Sequence, residues 1–193
     1  MSQLFEAIKL YKGKLENIEY HNERFNRSRK QLFGCKDLID LNETIKIPKN
    51  IGKGLFKCRV VYDKKTIEIN FLPYVKPKIK SLKLIECNDI AYKYKYLDRT
   101  KIDELLKHKG ECDDVLIIKN GLVTDTSIAN ICFYDGQKWI TPITALLKGT
   151  KRQKLLDEGK IFEAEITQKD LKKFKKASLI NAMIELGEIQ IFL

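Results

Sequence analysis

The chain has 193 residues, 44% hydrophobic and 33% charged, a balance that suits one globular unit or two small subdomains with modest cores and excludes a disordered chain. Formal net charge is +11, from 37 Lys and Arg against 26 Asp and Glu, so the surface should draw anions. The basic residues are spread along the chain without an RNP, Cys2His2 or basic-helix pattern, which argues against nucleic acid; an anionic small-molecule substrate is compatible with the charge, and so is a lysine-rich composition without a functional anion field.

Five cysteines (Cys35, Cys58, Cys87, Cys112, Cys132) are scattered, never spaced C-x-x-C, and have only His21 and His108 for company. That pattern supports neither a zinc site nor a disulfide framework and leaves free, buried thiols as the expectation. No apolar run approaches the ~20 residues of a membrane span, and "MSQLFEAIKL" lacks the order of a signal peptide. The expected location is the cytoplasm, with no membrane partner.

In chain order, alternation through Phe5 and Ala7 against Glu6 and Ile8, a turn at Lys12-Gly13 and a short run from Leu15 to Ile18 predict a hairpin. From about Tyr20 the spacing becomes helical through Phe25, Leu32 and Phe33, with Gly34 as the stop. "DLIDLNETIKIPKNIG" supplies a second short helix. "GLFKCRVVYD" and "TIEINFLPYV" read as antiparallel strands joined at Asp63-Lys64-Lys65, and Pro73 and Pro77 mark a passage between halves.

"SLKLIECNDI" reads as a strand and "TKIDELLKHKG" as a helix ended by Gly110. Short strands follow in "DDVLIIKN", "LVTD", "ANICFYD" and "QKWITP", the first two joined by Asn120-Gly121. "GTKRQKLLDEG" is a helix entered through Gly149; "TQKDLKKFKKA" is another, capped by Thr167 with Asp170 at its third position; "SLINAMIEL" and "GEIQIFL" close the chain.

In "AYKYKYLDRT", residues 91–100, an extended backbone puts Lys93 and Lys95 on one face and Tyr92, Tyr94 and Tyr96 on the other. Alternation alone leaves the two lysines equivalent. A wider pattern separates them: His21-Asn22-Glu23-Arg24-Phe25, Lys95-Tyr96-Leu97-Asp98-Arg99, Val123-Thr124-Asp125 through Asn130, and Gly149-Thr150-Lys151-Arg152. Their order and spacing resemble the class IV aminotransferase family, the fold-type IV pyridoxal phosphate enzymes, with its H-x-x-R-L, K-x-L-N-R, T-E-x-x-x-x-N and G-x-x-R patterns.

The resemblance implies an α+β fold. A small N-terminal α/β subdomain over residues 1–80 and a C-terminal, pyridoxal phosphate-binding subdomain over 81–193 with barrel-like strands would hold the cofactor between them, in a homodimer. It implies that Lys95 carries the cofactor covalently and then serves as general base. Asp125 stands where the family has a glutamate that keeps the pyridine nitrogen protonated, one methylene short; taken alone, it is also placed to cap the turn in "TDTS". Arg24 and the turn Gly149-Thr150-Lys151 would meet the cofactor phosphate, and Asn181 lies in the family's final loop beside it.

The chain starts close to "LFEA", without the family's preceding D-R-G-x-x-Y-G-D-G segment, so a more open pocket, or one filled by the neighbouring subunit, is expected. Phe25 and Asp98 are milder departures. "TSIANI" and Thr141-Pro142 resemble the aminodeoxychorismate lyases within the family, which form 4-aminobenzoate for folate synthesis. Their substrate carries two carboxylates, for which Arg59 is a candidate, though a strand-surface arginine fits that position as well. A small class IV aminotransferase, of branched-chain or D-amino acid type, and a non-catalytic basic binding protein of the same fold are the alternatives.

Overall fold

The computed structural model describes residues 3–192. The chain divides into two compact units, one running to Lys76 and including Tyr94–Asp98, the other formed by Pro77–Lys93 and the chain from Arg99 onward.

The first unit is a four-stranded antiparallel sheet. β1 (Leu4–Tyr11) turns through Lys12 (φ 49°) and Gly13 (φ 75°) into a two-residue β2 (Lys14–Leu15). The turn is where the sequence puts it; the second run is shorter, because Ile18 already begins helix α1 (Ile18–Phe33). Gly34, at φ 69°, ends α1, and the N–H groups of Gly34 and Cys35 return to the carbonyls of Lys30 and Arg29. α2 (Leu41–Thr44) is capped by Asp40, which accepts from Asn42 N.

β3 (Leu55–Tyr62) and β4 (Ile67–Pro73) pair antiparallel around a turn in which Asp63 Oδ1 accepts from the N–H groups of Lys65 and Thr66. The strand order is β2-β1-β3-β4. One face of the sheet buries Leu4, Ile8, Cys58, Val60 and Tyr62 against Phe25 of α1 and Leu41 of α2. The Phe25 and Tyr62 rings meet at 4.4 Å in a tilted pair.

Tyr94–Asp98 lies along the free edge of β1. Phe5 N donates to Lys95 O at 3.0 Å, Leu97 N to Gln3 O at 2.8 Å, and Leu4 bridges Tyr96 antiparallel. The rest of 91–100 is not a strand, so the alternation of an extended backbone holds at most beside the edge of β1. Lys93 is exposed and Lys95 half-buried, and it is the Lys95 carbonyl that pairs with β1, so the fold distinguishes the two lysines.

The second unit opens with β5 (Leu82–Glu86), followed by α3 (Thr100–Lys107) and β6 (Asp114–Lys119), which lies parallel to β5. Asn120 (φ 50°) and Gly121 (φ 76°) turn β6 into β7 (Leu122–Thr126). β8 (Asn130–Tyr134), β9 (Trp139–Pro142), α4 (Thr150–Asp157) and β10 (Ile161–Ala164) follow. A 3₁₀ helix (Gln168–Lys173) leads to β11 (Lys176–Asn181) and β12 (Ile184–Phe192).

The strand path is β10-β9-β8-β7-β6-β5, with β11 paired to both β8 and β12, an open set of strands and not a closed barrel. Thr167 and Asp170 cap the 3₁₀ helix reciprocally, as their spacing predicts. All five cysteines are free, and no helix among the described residues is long and apolar enough to cross a membrane.

Candidate functional site

In β1 the side chains of Leu4, Glu6, Ile8 and Leu10 share the buried face, so an acid stands in an apolar row. Glu6 is fully buried and fully partnered. Arg24 donates from Nε to Oε1 at 2.9 Å and from Nη2 to Oε2 at 2.5 Å, and His21 Nδ1 lies 2.6 Å from Oε2. Since a carboxylate only accepts, His21 carries its proton on Nδ1. Burial acts to raise the Glu6 carboxyl, but the Arg24 charge and the hydrogen bonds of His21 and Arg24 outweigh it and hold the group down to about 2. Burial also pushes the His21 imidazole below its ordinary value, and the positive charges of Arg24 and Lys95 add to that. Arg24, expected at a phosphate, is thus half of a buried ion pair.

On the opposite face of the same sheet, the bridge between Leu4 and Tyr96 sets Lys95 beside Phe5. The pairings Phe5 to Val61 and Ala7 to Arg59 set Arg59 diagonally across from the same ring. Lys95 Nζ lies 4.7 Å and the Arg59 guanidinium 5.6 Å from the centroid of Phe5. One ring therefore carries the candidate cofactor lysine and the candidate substrate arginine.

In the second unit, Asp125 projects from β7 into a buried environment. Its Oδ1 accepts from Asn130 Nδ2 at 2.8 Å and its Oδ2 from Leu147 N at 3.0 Å. Burial raises this carboxyl; the Leu147 amide, the Asn130 amide and the Arg152 charge pull against it, and it settles at about 6. Asp125 does not cap the turn that follows. Thr126 does, through Thr126 N to Ala129 O at 2.9 Å and Ala129 N to Thr126 Oγ1 at 3.2 Å.

Gly149 is the N-cap of α4 and has no side chain to offer the first-turn N–H groups, which leaves the cap to backbone or to an anion. Thr150, Lys151 and Arg152 are buried behind it. Lys151 Nζ pairs with Glu185 at 2.6 Å, so what Lys151 presents at the helix start is its backbone N–H. Arg152 donates to Pro142 O at 2.9 Å and to Glu163 at 2.5 Å. Asn181 donates to Ile128 O at 3.1 Å and accepts from Met183 N at 2.8 Å, while Arg99 Nη2 donates to Ser127 O at 2.9 Å. Two side chains from outside it therefore fix the turn between β7 and β8.

The predicted residues fall into two groups. Arg24, Arg59 and Lys95 lie in the first unit; Asp125, Gly149, Thr150, Lys151 and Asn181 lie in the second. Sequence reasoning gave no role to Glu6, Asn130 or Arg99. The sign for Glu6 was available, an acid on the apolar side of an alternating strand. Chemically the set comprises a lysine amine, a buried carboxyl, guanidinium groups and a helix start without a side-chain cap. Those are the donors and acceptors that pyridoxal phosphate requires.

The sequence profile of the family Amino-transferase class IV matches residues 91–191. An uncharacterized protein of Haemophilus influenzae is 40% identical over 185 residues, covering 95% of this chain and 98% of that one. A solved structure from Haemophilus somnus, titled a "putative 4-amino-4-deoxychorismate lyase", superposes with a TM-score of 0.89 at 37% identity, covering 96% of this chain and 98% of that one. A "Putative aminodeoxychorismate lyase" of Schizosaccharomyces pombe is 38% identical over 79 residues, 38% of this chain and 34% of that one. The chain belongs to the class IV aminotransferase family, a family of pyridoxal phosphate-dependent enzymes.

Proposed function

We propose that this protein is a pyridoxal 5'-phosphate-dependent lyase that converts 4-amino-4-deoxychorismate to 4-aminobenzoate and pyruvate, in the cytoplasm and as a homodimer, supplying folate synthesis. The observation that carries the reading is the likeness, over nearly the whole of both chains, to the Haemophilus somnus protein described as a "putative 4-amino-4-deoxychorismate lyase". When bound, pyridoxal phosphate supplies an electron sink for the charge left as a proton leaves the carbon bearing the amine.

The chain's own residues then have separate tasks. Lys95 provides the amine that takes up the cofactor and afterwards removes the proton from the ring carbon bearing the substrate amine. Asp125 provides the carboxyl for the pyridine nitrogen; with its group near 6 it is largely ionised at pH 7 and above. The N–H groups at Gly149, Thr150 and Lys151, the Thr150 hydroxyl and Arg24 serve the phosphate. Because Glu6 already neutralises Arg24, that contact depends on hydrogen-bond direction more than on net charge. Asn181 steadies the turn beside these groups.

Arg59 serves a substrate carboxylate. The ether bond to the three-carbon side chain breaks as the ring becomes aromatic, its electron pair leaving with the side chain as an enolate; one proton, equal to the one removed from the ring carbon, returns to that enolate to give pyruvate, and no second amino acceptor is needed. Aromatisation drives this elimination, so it tolerates a carboxyl one methylene shorter than the family's glutamate.

The test is the absorbance of purified protein before and after addition of 4-amino-4-deoxychorismate. The wild type and Lys93→Ala should be yellow and release pyruvate, and Lys95→Ala should be colourless, with turnover at least about 10³-fold lower. A wild type that stays colourless in saturating cofactor sinks the reading. Transfer of the amine to a keto acid, without pyruvate from this substrate, replaces it with a class IV aminotransferase.

A further inference from the structure

Three features of the second unit meet at the side chain of Asn130. Its Nδ2 donates to Asp125 Oδ1 at 2.8 Å and to Leu147 O at 2.8 Å, which occupies both N–H bonds of the amide. Leu147 returns its own N–H to the other Asp125 oxygen at 3.0 Å, closing a ring of the acid, the amide and the loop that enters α4. On its other side, Asn130 Oδ1 lies 2.1 Å from where a Cβ on residue 149 would be.

Gly149 has φ −70° and ψ 145°, a conformation open to any residue, so backbone freedom is not why glycine stands there. Space for Asn130 is. The motif spacing follows as well: Asp125 and Asn130 are cross-strand partners in β7 and β8, and the residues between them are the turn.

We propose that Asn130 is a positioning residue that locks Asp125 and the N-terminus of α4 into one body, fixing the distance between the carboxyl and the helix amides. The proposal rests on the reading above for the tasks of those two groups. No other common side chain of this size does the same. Leucine or alanine leaves Asp125 Oδ1 and Leu147 O without their donor, and aspartate sets a second carboxylate against Asp125. A residue larger than glycine at 149 drives Asn130 off both acceptors.

Three measurements on the full chain test it. Followed by carboxyl NMR without added cofactor, Asp125 should titrate higher in Asn130→Ala than in the wild type, by about one pH unit or more. Gly149→Ala should lower the urea midpoint in the wild-type background and have little effect in the Asn130→Ala background, where the obstacle is gone. Pyridoxal phosphate itself should bind Asn130→Ala about tenfold or more weakly.

If Asn130→Ala does not fold, Asn130→Asp keeps the shape, and Asp125 should titrate upward there through like-charge repulsion. An unmoved Asp125 titration, equal damage from Gly149→Ala in both backgrounds, or unchanged cofactor affinity in Asn130→Ala overturns the proposal. The first two readouts need no cofactor. A wild type that binds none therefore defeats the proposed function while leaving the lock itself measurable.

Discussion

Glu6 and Asp125 are both carboxyls taken out of water, one in each unit, and they are driven in opposite directions. Glu6 faces a guanidinium and an imidazole N–H and is held down to about 2. Asp125 faces an amide side chain and a backbone N–H, has Arg152 only as a charge acting on it, and is raised to about 6. Burial penalises both ionised forms. What differs is that a cation in contact overcomes the penalty and neutral donors do not. The first acid is fixed as an anion and serves architecture. The second is left near the edge of ionisation, a state that suits the task proposed for it at the pyridine nitrogen.

The strongest way to break this contrast is Glu6→Gln. The substitution keeps the shape but removes the carboxylate charge paired with the buried Arg24 guanidinium, and should cost about 3 to 5 kcal/mol in urea denaturation. A loss below about 1 kcal/mol would mean that the pair holds little of the fold.

Next is the pH dependence of stability. Glu6 has 4.5 as its ordinary value and about 2 in the fold, so its contribution is complete above 4.5 and disappears as pH falls toward 2. That amounts to about 3 kcal/mol. Asp125 acts with the other sign: its carboxyl binds a proton more tightly folded, at about 6, than at its ordinary 3.8. Its contribution is therefore largest below 3.8 and fades as pH rises to 6, again by about 3 kcal/mol. Denaturation midpoints measured from pH 2 to 8 should lose the acid limb in Glu6→Gln and lose the decline between 4 and 6 in Asp125→Asn. An acid limb that persists in Glu6→Gln assigns it to another carboxylate.

The smallest expected effect is that of Arg24→Lys. It keeps the charge and gives up the two-pronged contact to Glu6, for about 1 to 2 kcal/mol. A loss equal to that of Glu6→Gln would show geometry, not charge, to be what holds Glu6 down.

The parts of the fold legible in the sequence are those whose cause is local. Lys12-Gly13, Asn120-Gly121 and Gly34 occupy positive φ where turns and a helix stop were expected, and Thr167 with Asp170 forms the cap that their spacing implies. What the sequence hid depends on distant partners. Lys95 and Leu97 pair with Phe5 and Gln3, far upstream, so alternation within 91–100 could not show which part of that stretch a neighbour would order. β10 was missed because Ile161–Ala164 has one strong apolar anchor, Ile161, and owes its form to parallel pairing with β9.

The candidate site divides the same way. Motif order alone proposes Lys95, Asp125 and Gly149 as candidates. That Arg24 is paired with Glu6, that Lys151 turns to Glu185 and that Asn130 fills the space beside Gly149 are contacts between elements, which spacing along the chain does not encode.

The segment Tyr94–Asp98 also bears on how the protein is made. β1 is synthesised some eighty residues ahead of the segment 95–97 that, among the described residues, pairs with the outer edge of its start. During translation the first unit therefore waits, with one row of strand amides and carbonyls open, until the second unit has begun to emerge. A fragment ending at Lys76 would keep that open edge permanently, so a cut between the two stretches of unit one should favour edge-to-edge association over a soluble piece.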